Sequence, residues 1–185
     1  MENKHPKIFI LCGKAQAGKD TTAKFIKNEY LKRGKKVLNI QYSNYIKEYA
    51  KQISGWDGSE DNKPRELLQV LGTDIIRTKF GSYYFVDRLI QDINVYSFFF
   101  DVITISDGRF KIEVDTPKEV FDNVYAVRID RPNFDNGLTE EEKKHPTEVD
   151  LDDYEKFNFK IINDSSLEEL NTVAINLVKE VEHES

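Results

Sequence analysis

A glycine-containing turn near the N-terminus carries the residues best suited to chemistry. Residues 13–21 read Gly-Lys-Ala-Gln-Ala-Gly-Lys-Asp-Thr, after the apolar run 8–12 and before a stretch with helical periodicity. A strand, such a turn and a helix form a cradle in which backbone N–H groups and the helix N-terminus attract phosphate. The pattern therefore predicts a P-loop, with Lys19 as a point charge for the β- and γ-phosphates of a nucleotide.

The residue after Lys19 departs from the usual P-loop pattern, which has Ser or Thr there to hold Mg²⁺. Here Asp20 occupies the position, and Thr21 follows it. A carboxylate repels a triphosphate unless a cation lies between them, so either Asp20 is a direct or water-mediated Mg²⁺ ligand or it turns away and Thr21 takes that role. Alternatively, Asp20 only complements the helix macrodipole. The nucleotide-binding residues expected from this segment are Gly13, Ala15, Ala17, Gly18, Lys19, Asp20 and Thr21.

Composition and charge limit the classes of function. The chain has 185 residues, enough for one domain with a buried core. A net charge of −6 argues against non-specific nucleic-acid binding. No apolar run approaches the ~20 residues of a membrane span, and the N-terminus lacks a signal-peptide pattern. We therefore expect a cytoplasmic protein, monomeric or homodimeric, that acts on small molecules.

Apolar segments with strand and helix patterns alternate along the chain. The predicted strands cover residues 8–12, 37–41, 98–105, 124–129 and 157–162, with a buried Cys12 in the first. Helical periodicity follows the P-loop and recurs at 43–53, from 64, at 83–93 and at 167–178, while 55–59 is predicted to be an exposed loop. This alternation predicts an α/β fold of three layers, a five-stranded parallel sheet with helices on both faces.

Two segments are expected to surround a site at the carboxyl ends of the strands, where such sheets bind ligands. The helical segment 43–95 follows the second strand, where P-loop kinases of small substrates usually hold the phosphoryl acceptor. Lys47 and Arg65 lie in it, and we expect both to bind an acceptor phosphate. The polar segment 131–153 follows the fourth strand and has the composition of a mobile lid.

Three more charged residues lie at or just beyond strand ends. Arg109 follows the third predicted strand and Arg131 the fourth. A guanidinium there can bind phosphate bidentately, so we expect Arg109 on the acceptor phosphate and Arg131, beside the lid, on the transferred group. Asp107 has several interpretations: it orients the water shell of Mg²⁺, acts as a base, orients Arg109, or simply forms a turn before Gly108.

Several segments together resemble the deoxynucleoside monophosphate kinases known from phages and bacterial genomes. The P-loop of that family also reads Gly-Lys-Asp-Thr-Thr-Ala, as residues 18–23 do here. Residues 65–74 resemble its Arg-x-Leu-x-Gln-x-Leu-Gly-Thr-Asp segment, and 107–109 its Asp-x-Arg. Lys47, residues 131–132, 145–148 and 163–170 match in the same order.

The resemblance implies a P-loop kinase that transfers the γ-phosphate of ATP to a (deoxy)nucleoside monophosphate and requires Mg²⁺. It also implies that Asn163 lies near the adenine of ATP. Kinases of other phosphorylated acceptors, such as dephospho-coenzyme A or phosphomevalonate, share this architecture and are alternatives. A further alternative is a non-catalytic nucleotide sensor, since Asp20 alters the usual metal position.

Overall fold

Five parallel strands form one sheet at the centre of the fold, which the computed structural model describes for residues 2–183. The strands are β1 (Lys7–Cys12), β2 (Val37–Ile40), β3 (Val102–Gly108), β4 (Val124–Asp130) and β5 (Phe159–Ile162), in the spatial order β2-β3-β1-β4-β5. Because β1 is the central strand, the turn that follows it emerges in the middle of the carboxyl edge. The predicted five-stranded parallel sheet is confirmed.

Helices cover both faces of this sheet. They are α1 (Lys19–Lys32), α2 (Asn44–Ser54), α3 (Arg65–Gln69), α4 (Tyr84–Tyr96), α5 (Lys111–Val120), α6 (Pro146–Val149) and α7 (Leu167–His183), with a π-helix over Val70–Phe80 and a 3₁₀ turn over Glu142–Lys144.

The core is divided between the two faces by the alternation of side chains in the strands. In β1, Phe9 and Leu11 pack against α1 and α7, while Ile8 and Ile10 pack on the other face against α4 and α5. A strand covered on both sides needs apolar residues at every position, which explains the continuous apolar run. The three-layer α/β fold is therefore confirmed.

The third strand begins later than its apolar run predicts. Phe98, Phe99 and Phe100 form the turn between α4 and β3, and the first two are exposed. The backbone at Asp101 is fixed instead by polar contacts, because its carboxylate accepts hydrogen bonds from the Lys36 backbone N–H and from Lys4. The prediction of a strand over 98–101 was wrong, since an apolar run alone does not mark where a helix ends.

Two helical regions also differ from the predictions. The helix predicted from residue 64 begins as α3 but continues as the π-helix, where Arg77 and Thr78 side chains bind carbonyls five residues earlier, at Gly72 and Thr73. Helix α5 was not predicted, and Pro117 lies inside it.

The loop after α2 is less exposed than predicted. Trp56 is buried with Ala50 and Leu71, and its indole N–H donates to the Ser59 carbonyl at 2.9 Å.

No helix within residues 2–183 is long and apolar enough to cross a bilayer.

Candidate active site

The turn between β1 and α1 approaches its neighbours so closely that two positions require glycine. Gly13 has φ +151°, and a Cβ there would lie 2.3 Å from the Ile129 carbonyl oxygen of β4. Gly18 has φ +104°, and its Cβ would lie 2.6 Å from Asn163 Nδ2. Any residue other than glycine would clash at these positions and would rarely adopt these φ values. The P-loop thus packs closely against the end of β4 and against the residue that follows β5.

Lys19 folds back over this loop. Its Nζ donates to the carbonyl oxygens of Gly13 and Lys14, both at 2.8 Å, and the residue is only 7% exposed. Burial, and secondarily the charge of Arg109, lower the pKa of Lys19 to about 7. A bound phosphate would place a negative charge next to this buried ammonium group and would favour its protonated form.

A cavity of about 350 Å³ opens beside the loop, between residues 16–21 and the start of α7. Arg131 and Asn163 line it. The Arg131 guanidinium lies 3.6 Å from the Phe134 ring centroid and donates to the Gln16 carbonyl at 3.4 Å. Asn163 Nδ2 donates to the Ala17 carbonyl at 2.9 Å. These two predicted residues therefore lie on the same side of the P-loop.

Arg109 lies on the other side, where Glu148 links it to the P-loop. Arg109 Nη1 contacts Glu148 Oε1 at 2.5 Å and the Thr147 carbonyl at 3.3 Å. The second Glu148 oxygen accepts the Ala15 backbone N–H at 2.9 Å. With its side chain only 8% exposed, Glu148 is a buried bridge between the lid segment, Arg109 and the phosphate loop.

Asp20 points to the ends of β2 and β3. Its Oδ1 accepts hydrogen bonds from Ser106 Oγ at 2.7 Å and from Gln41 Nε2 at 3.0 Å. A carboxylate next to a hydroxyl is a donor set that suits Mg²⁺, which prefers oxygen ligands. Within residues 2–183, no group of three or more His, Cys, Asp or Glu side chains is arranged to hold a metal. Such a site fits Mg²⁺ that also binds substrate phosphates, because protein carboxylates then supply only part of the shell.

Asp107 uses both carboxylate oxygens to hold the backbone before α2. They accept the N–H groups of Tyr42 at 2.9 Å and Ser43 at 3.0 Å. Ser43 is the N-cap of α2, but its side chain makes no capping hydrogen bond. Asp107 thus fixes the start of the predicted acceptor-binding segment.

The charges of the two basic residues of that segment affect one carboxylate, that of Glu60. Lys47 Nζ donates to Gln41 Oε1 at 2.6 Å, which joins it to the surroundings of Asp20. Arg65 is exposed. The pKa of Glu60 is lowered mainly by its hydrogen bond with Lys63, and the charges of Arg65 and Lys47 lower it further. Both cations therefore act on the same carboxylate.

The second half of the segment 131–153 is attached to the rest of the protein. His145 Nδ1 accepts the Thr147 N–H and caps α6. Lys14 Nζ pairs with Asp152 at 3.0 Å, and the Lys111 backbone N–H donates to Asp150 at 2.8 Å. Residues 145–153 are thus bound to the P-loop and to α5.

Reasoning from the sequence did not single out Glu148, Ser106 or Gln41. Glu148 lies within the stretch 145–148 that matches the family, and Ser106 directly precedes the candidate residue Asp107. Both are therefore next to residues that the sequence singled out as candidates for the site. Their partners come from distant segments, and only the fold brings these together.

Comparisons with known proteins agree with this architecture. A sugar kinase from Janibacter superimposes with a TM-score of 0.59 at 12% identity, covering 94% of this chain and 95% of that one. The APS kinase CysC of Mycobacterium tuberculosis gives 0.53 at 12% identity, with 94% and 97% coverage. Shikimate kinase from Aquifex aeolicus gives 0.51 at 16% identity, with 94% and 96% coverage. At these identities the likeness concerns the fold alone.

Sequence relatives identify the family. A protein of Acanthamoeba polyphaga mimivirus, named as a deoxynucleotide monophosphate kinase, is 28% identical over 130 residues. The match covers 62% of this chain and 61% of the viral protein. The profile of the family described as deoxynucleotide monophosphate kinase matches residues 32–173, which begin after the P-loop and cover most of the chain. The chain therefore belongs to the deoxynucleotide monophosphate kinase family.

Proposed function

We propose that this protein transfers the γ-phosphate of ATP to a deoxynucleoside monophosphate and releases the diphosphate. The observation that carries this proposal is the shared site of Lys19 and Arg109, which Glu148 joins through the P-loop backbone. Phosphoryl transfer needs two polyanions held in line with their charge neutralised, and cations on both sides of a P-loop meet that need.

On the donor side, we assign the ATP phosphates to the P-loop backbone at Gly13, Ala15, Ala17 and Gly18 and to Lys19. The Ala15 N–H, which Glu148 accepts in this structure, would exchange that carboxylate for a phosphate oxygen. The cavity beside the loop then receives the rest of ATP, with Asn163 at its wall near the adenine and Arg131 near the transferred group. Thr21 borders the same cavity.

On the acceptor side, we assign the monophosphate to Arg109, Lys47 and Arg65. Arg109 is directed by Glu148, and Lys47 by Gln41. Asp107 contributes by fixing the backbone at the start of α2, which carries Lys47.

Asp20 would hold Mg²⁺ in this scheme, and Thr21 is the alternative ligand that the sequence left open. When bound, Mg²⁺ neutralises charge on the transferred phosphoryl group and its leaving group. An ion held at Asp20 would balance the carboxylate charge, and the repulsion between Asp20 and the ATP phosphates would then be removed.

We infer that the acceptor segment covers residues 43–95 and the lid 131–153, within one domain over 1–185. We expect lid movement mainly in residues 137–144, because Arg131 and Asn136 are hydrogen-bonded to Gln16 and the contacts of Lys111 and Arg109 hold 145–153. Closure of the free part over ATP would exclude water during transfer.

The test is a panel of deoxynucleoside and ribonucleoside monophosphates incubated with ATP and Mg²⁺. Chromatography should detect a nucleoside diphosphate formed in equal amount with ADP for at least one deoxynucleotide. Tight nucleotide binding without any such product would support a sensor and contradict the proposal. Product from another phosphorylated acceptor alone would replace the assigned substrate.

Replacement of either central cation should abolish transfer. We expect Lys19→Ala and Arg109→Ala each to lower kcat/KM by about 100-fold or more, because each removes charge stabilisation of the transferred group. Lys24→Ala, on the exposed face of α1, is the matched control and should retain the wild-type rate. Unchanged rates in both site variants, with folding verified by circular dichroism, would contradict the assignments.

A further inference from the structure

Asp20 and Ser106 form a pair that inverts the usual metal site of a P-loop. In P-loop nucleotide hydrolases, a Ser or Thr after the lysine and an Asp at the end of a neighbouring strand hold Mg²⁺. Here the carboxylate stands after the lysine, on α1, and the hydroxyl stands on β3. Ser106 Oγ lies 2.7 Å from Asp20 Oδ1. The hydroxyl and the carboxylate are therefore adjacent, as in other P-loops, but each stands on the element that usually carries the other.

The surroundings of the pair hold both groups in place. Ser106 is only 1% exposed, and Gln41 Nε2 donates to Ser106 Oγ at 2.9 Å as well as to Asp20. Lys47 binds the carbonyl oxygen of the same Gln41 amide, which fixes its orientation. The hydroxyl and the carboxylate are therefore arranged before any ligand binds.

Thr21 is less suited to supply the hydroxyl. Successive residues of an α-helix point about 100° apart, so Thr21 does not share the direction of Asp20. Thr21 borders the cavity that Asn163 and Arg131 line, whereas Asp20 also reaches the ends of β2 and β3.

We propose that Ser106, and not Thr21, supplies the hydroxyl oxygen of the magnesium site, with Asp20 as its carboxylate partner. This inference rests on the proposed function, because it concerns the ion that accompanies the nucleotide. It explains why Asp is tolerated beside a triphosphate: the pair keeps one carboxylate and one hydroxyl, as other P-loops do.

The test measures metal binding directly, with Mn²⁺ as the probe and ADP as the nucleotide. Electron paramagnetic resonance follows the loss of the free Mn²⁺ signal at saturating ADP. Ser106→Ala should weaken Mn²⁺ retention by about tenfold or more, since loss of even an indirect partner of a metal has such an effect. Ser97→Ala, which removes a buried hydroxyl at the end of α4 that donates to the Ile93 carbonyl, is the control and should retain Mn²⁺ as the wild type does.

ADP binding in EDTA separates this inference from the proposed function. Asp20→Asn should weaken Mn²⁺ retention yet strengthen metal-free ADP binding, because a negative charge beside the phosphates is removed. The double variant Asp20→Ser/Ser106→Asp restores the usual arrangement and should retain Mn²⁺ better than either single change.

Contrary results have distinct meanings. If Ser106→Ala retains Mn²⁺ while Thr21→Ala loses it, with ADP still bound in EDTA, the exchanged pair is wrong and the kinase proposal stands. If the wild-type protein binds no ADP in either condition, the proposed function fails, and this inference fails with it.

Discussion

Lys19 shows how burial prepares one residue for phosphate. Burial of its ammonium group, and secondarily the charge of Arg109, lower its pKa to about 7, while two carbonyl oxygens of the P-loop accept its hydrogen bonds. In the proposed function the nucleotide phosphates lie next to this group, and their negative charge would favour its protonated form. Nucleotide binding and protonation of Lys19 are therefore linked.

The first prediction concerns the pH dependence of ADP binding. Below about pH 7, Lys19 is protonated with or without ADP, and it adds no pH dependence. Above that value the free protein must take up a proton to bind, so ADP affinity should fall by up to about tenfold per pH unit. Titration calorimetry between pH 6.5 and 8.5, in two buffers of different ionisation enthalpy, measures both effects. Constant affinity without proton uptake would refute the linkage.

The second prediction concerns Glu148, which positions Arg109. Glu148→Gln keeps the size of the side chain but removes the charge that directs the guanidinium. We expect the KM for the monophosphate to rise about tenfold or more, with a smaller change in kcat and in the KM for ATP. Steady-state kinetics with each substrate varied test this. Glu141→Gln, at an exposed position of the same segment, is the control and should leave both KM values unchanged. An equal rise in the KM for ATP and for the monophosphate would argue against positioning of Arg109 by Glu148.

At the scale of elements, α5 connects the π-helix, which lies in the proposed acceptor segment, to the loop that carries Arg109. Glu113, 1% exposed, accepts the backbone N–H groups of Arg109 at 2.8 Å and Phe110 at 3.1 Å. Its other oxygen accepts Arg77 Nη2 of the π-helix at 2.8 Å. Burial raises the pKa of Glu113 to about 7, although the Arg77 charge opposes this. One carboxyl group thus joins three elements.

The third prediction follows from this connection. Glu113→Ala leaves the Arg77 charge without its partner and two backbone N–H groups without an acceptor. We expect the free energy of unfolding to fall by about 3–5 kcal/mol. Urea denaturation measures the change, with exposed Glu119→Ala as the control at less than about 0.5 kcal/mol. A loss below about 1 kcal/mol would show that the buried pair contributes little.

At the scale of the whole molecule, the strand order separates the two sides of the site. With β1 central, β4 and β5 carry Arg131 and Asn163 to one side of the P-loop. Strands β3 and β2 carry Ser106, Arg109 and Gln41 to the other. The loop can lie between the two groups because it packs without side chains at Gly13 and Gly18.

The fourth prediction compares two glycines with positive φ. Gly18→Ala and Gly34→Ala both strain the backbone, but only Gly18 would clash, with Asn163 Nδ2, whereas nothing lies within 4 Å of a Cβ at Gly34. ADP at 100 times its Kd stabilises a binding-competent protein by about 2.7 kcal/mol, which raises Tm by about 5–10 °C. Gly34→Ala should keep this shift and Gly18→Ala should lose it, as thermal scans with and without ADP will test. Equal shifts would contradict the model of a tightly packed loop.

Local patterns predicted the elements well where one physical reason dominates. The short apolar run of β1, followed by glycines and Lys19 at P-loop spacing, predicted a buried strand and the loop after it, because both depend on neighbouring residues. Patterns failed where long-range contacts decide, as before β3, where Lys36 and Lys4 fix the backbone at Asp101 and the strand begins only at Val102.

The sequence by itself determined the phosphate loop, the alternation of strands and helices, and the cations available for phosphate, because these depend on neighbouring residues and on periodicity. Only the tertiary structure decided which polar side chains contact each other: Glu148 pairs with Arg109, Ser106 donates a hydrogen bond to Asp20, and Glu113 pairs with Arg77. Each pair joins residues far apart in the chain, and the strand order and loop packing that bring them into contact are properties of the whole fold.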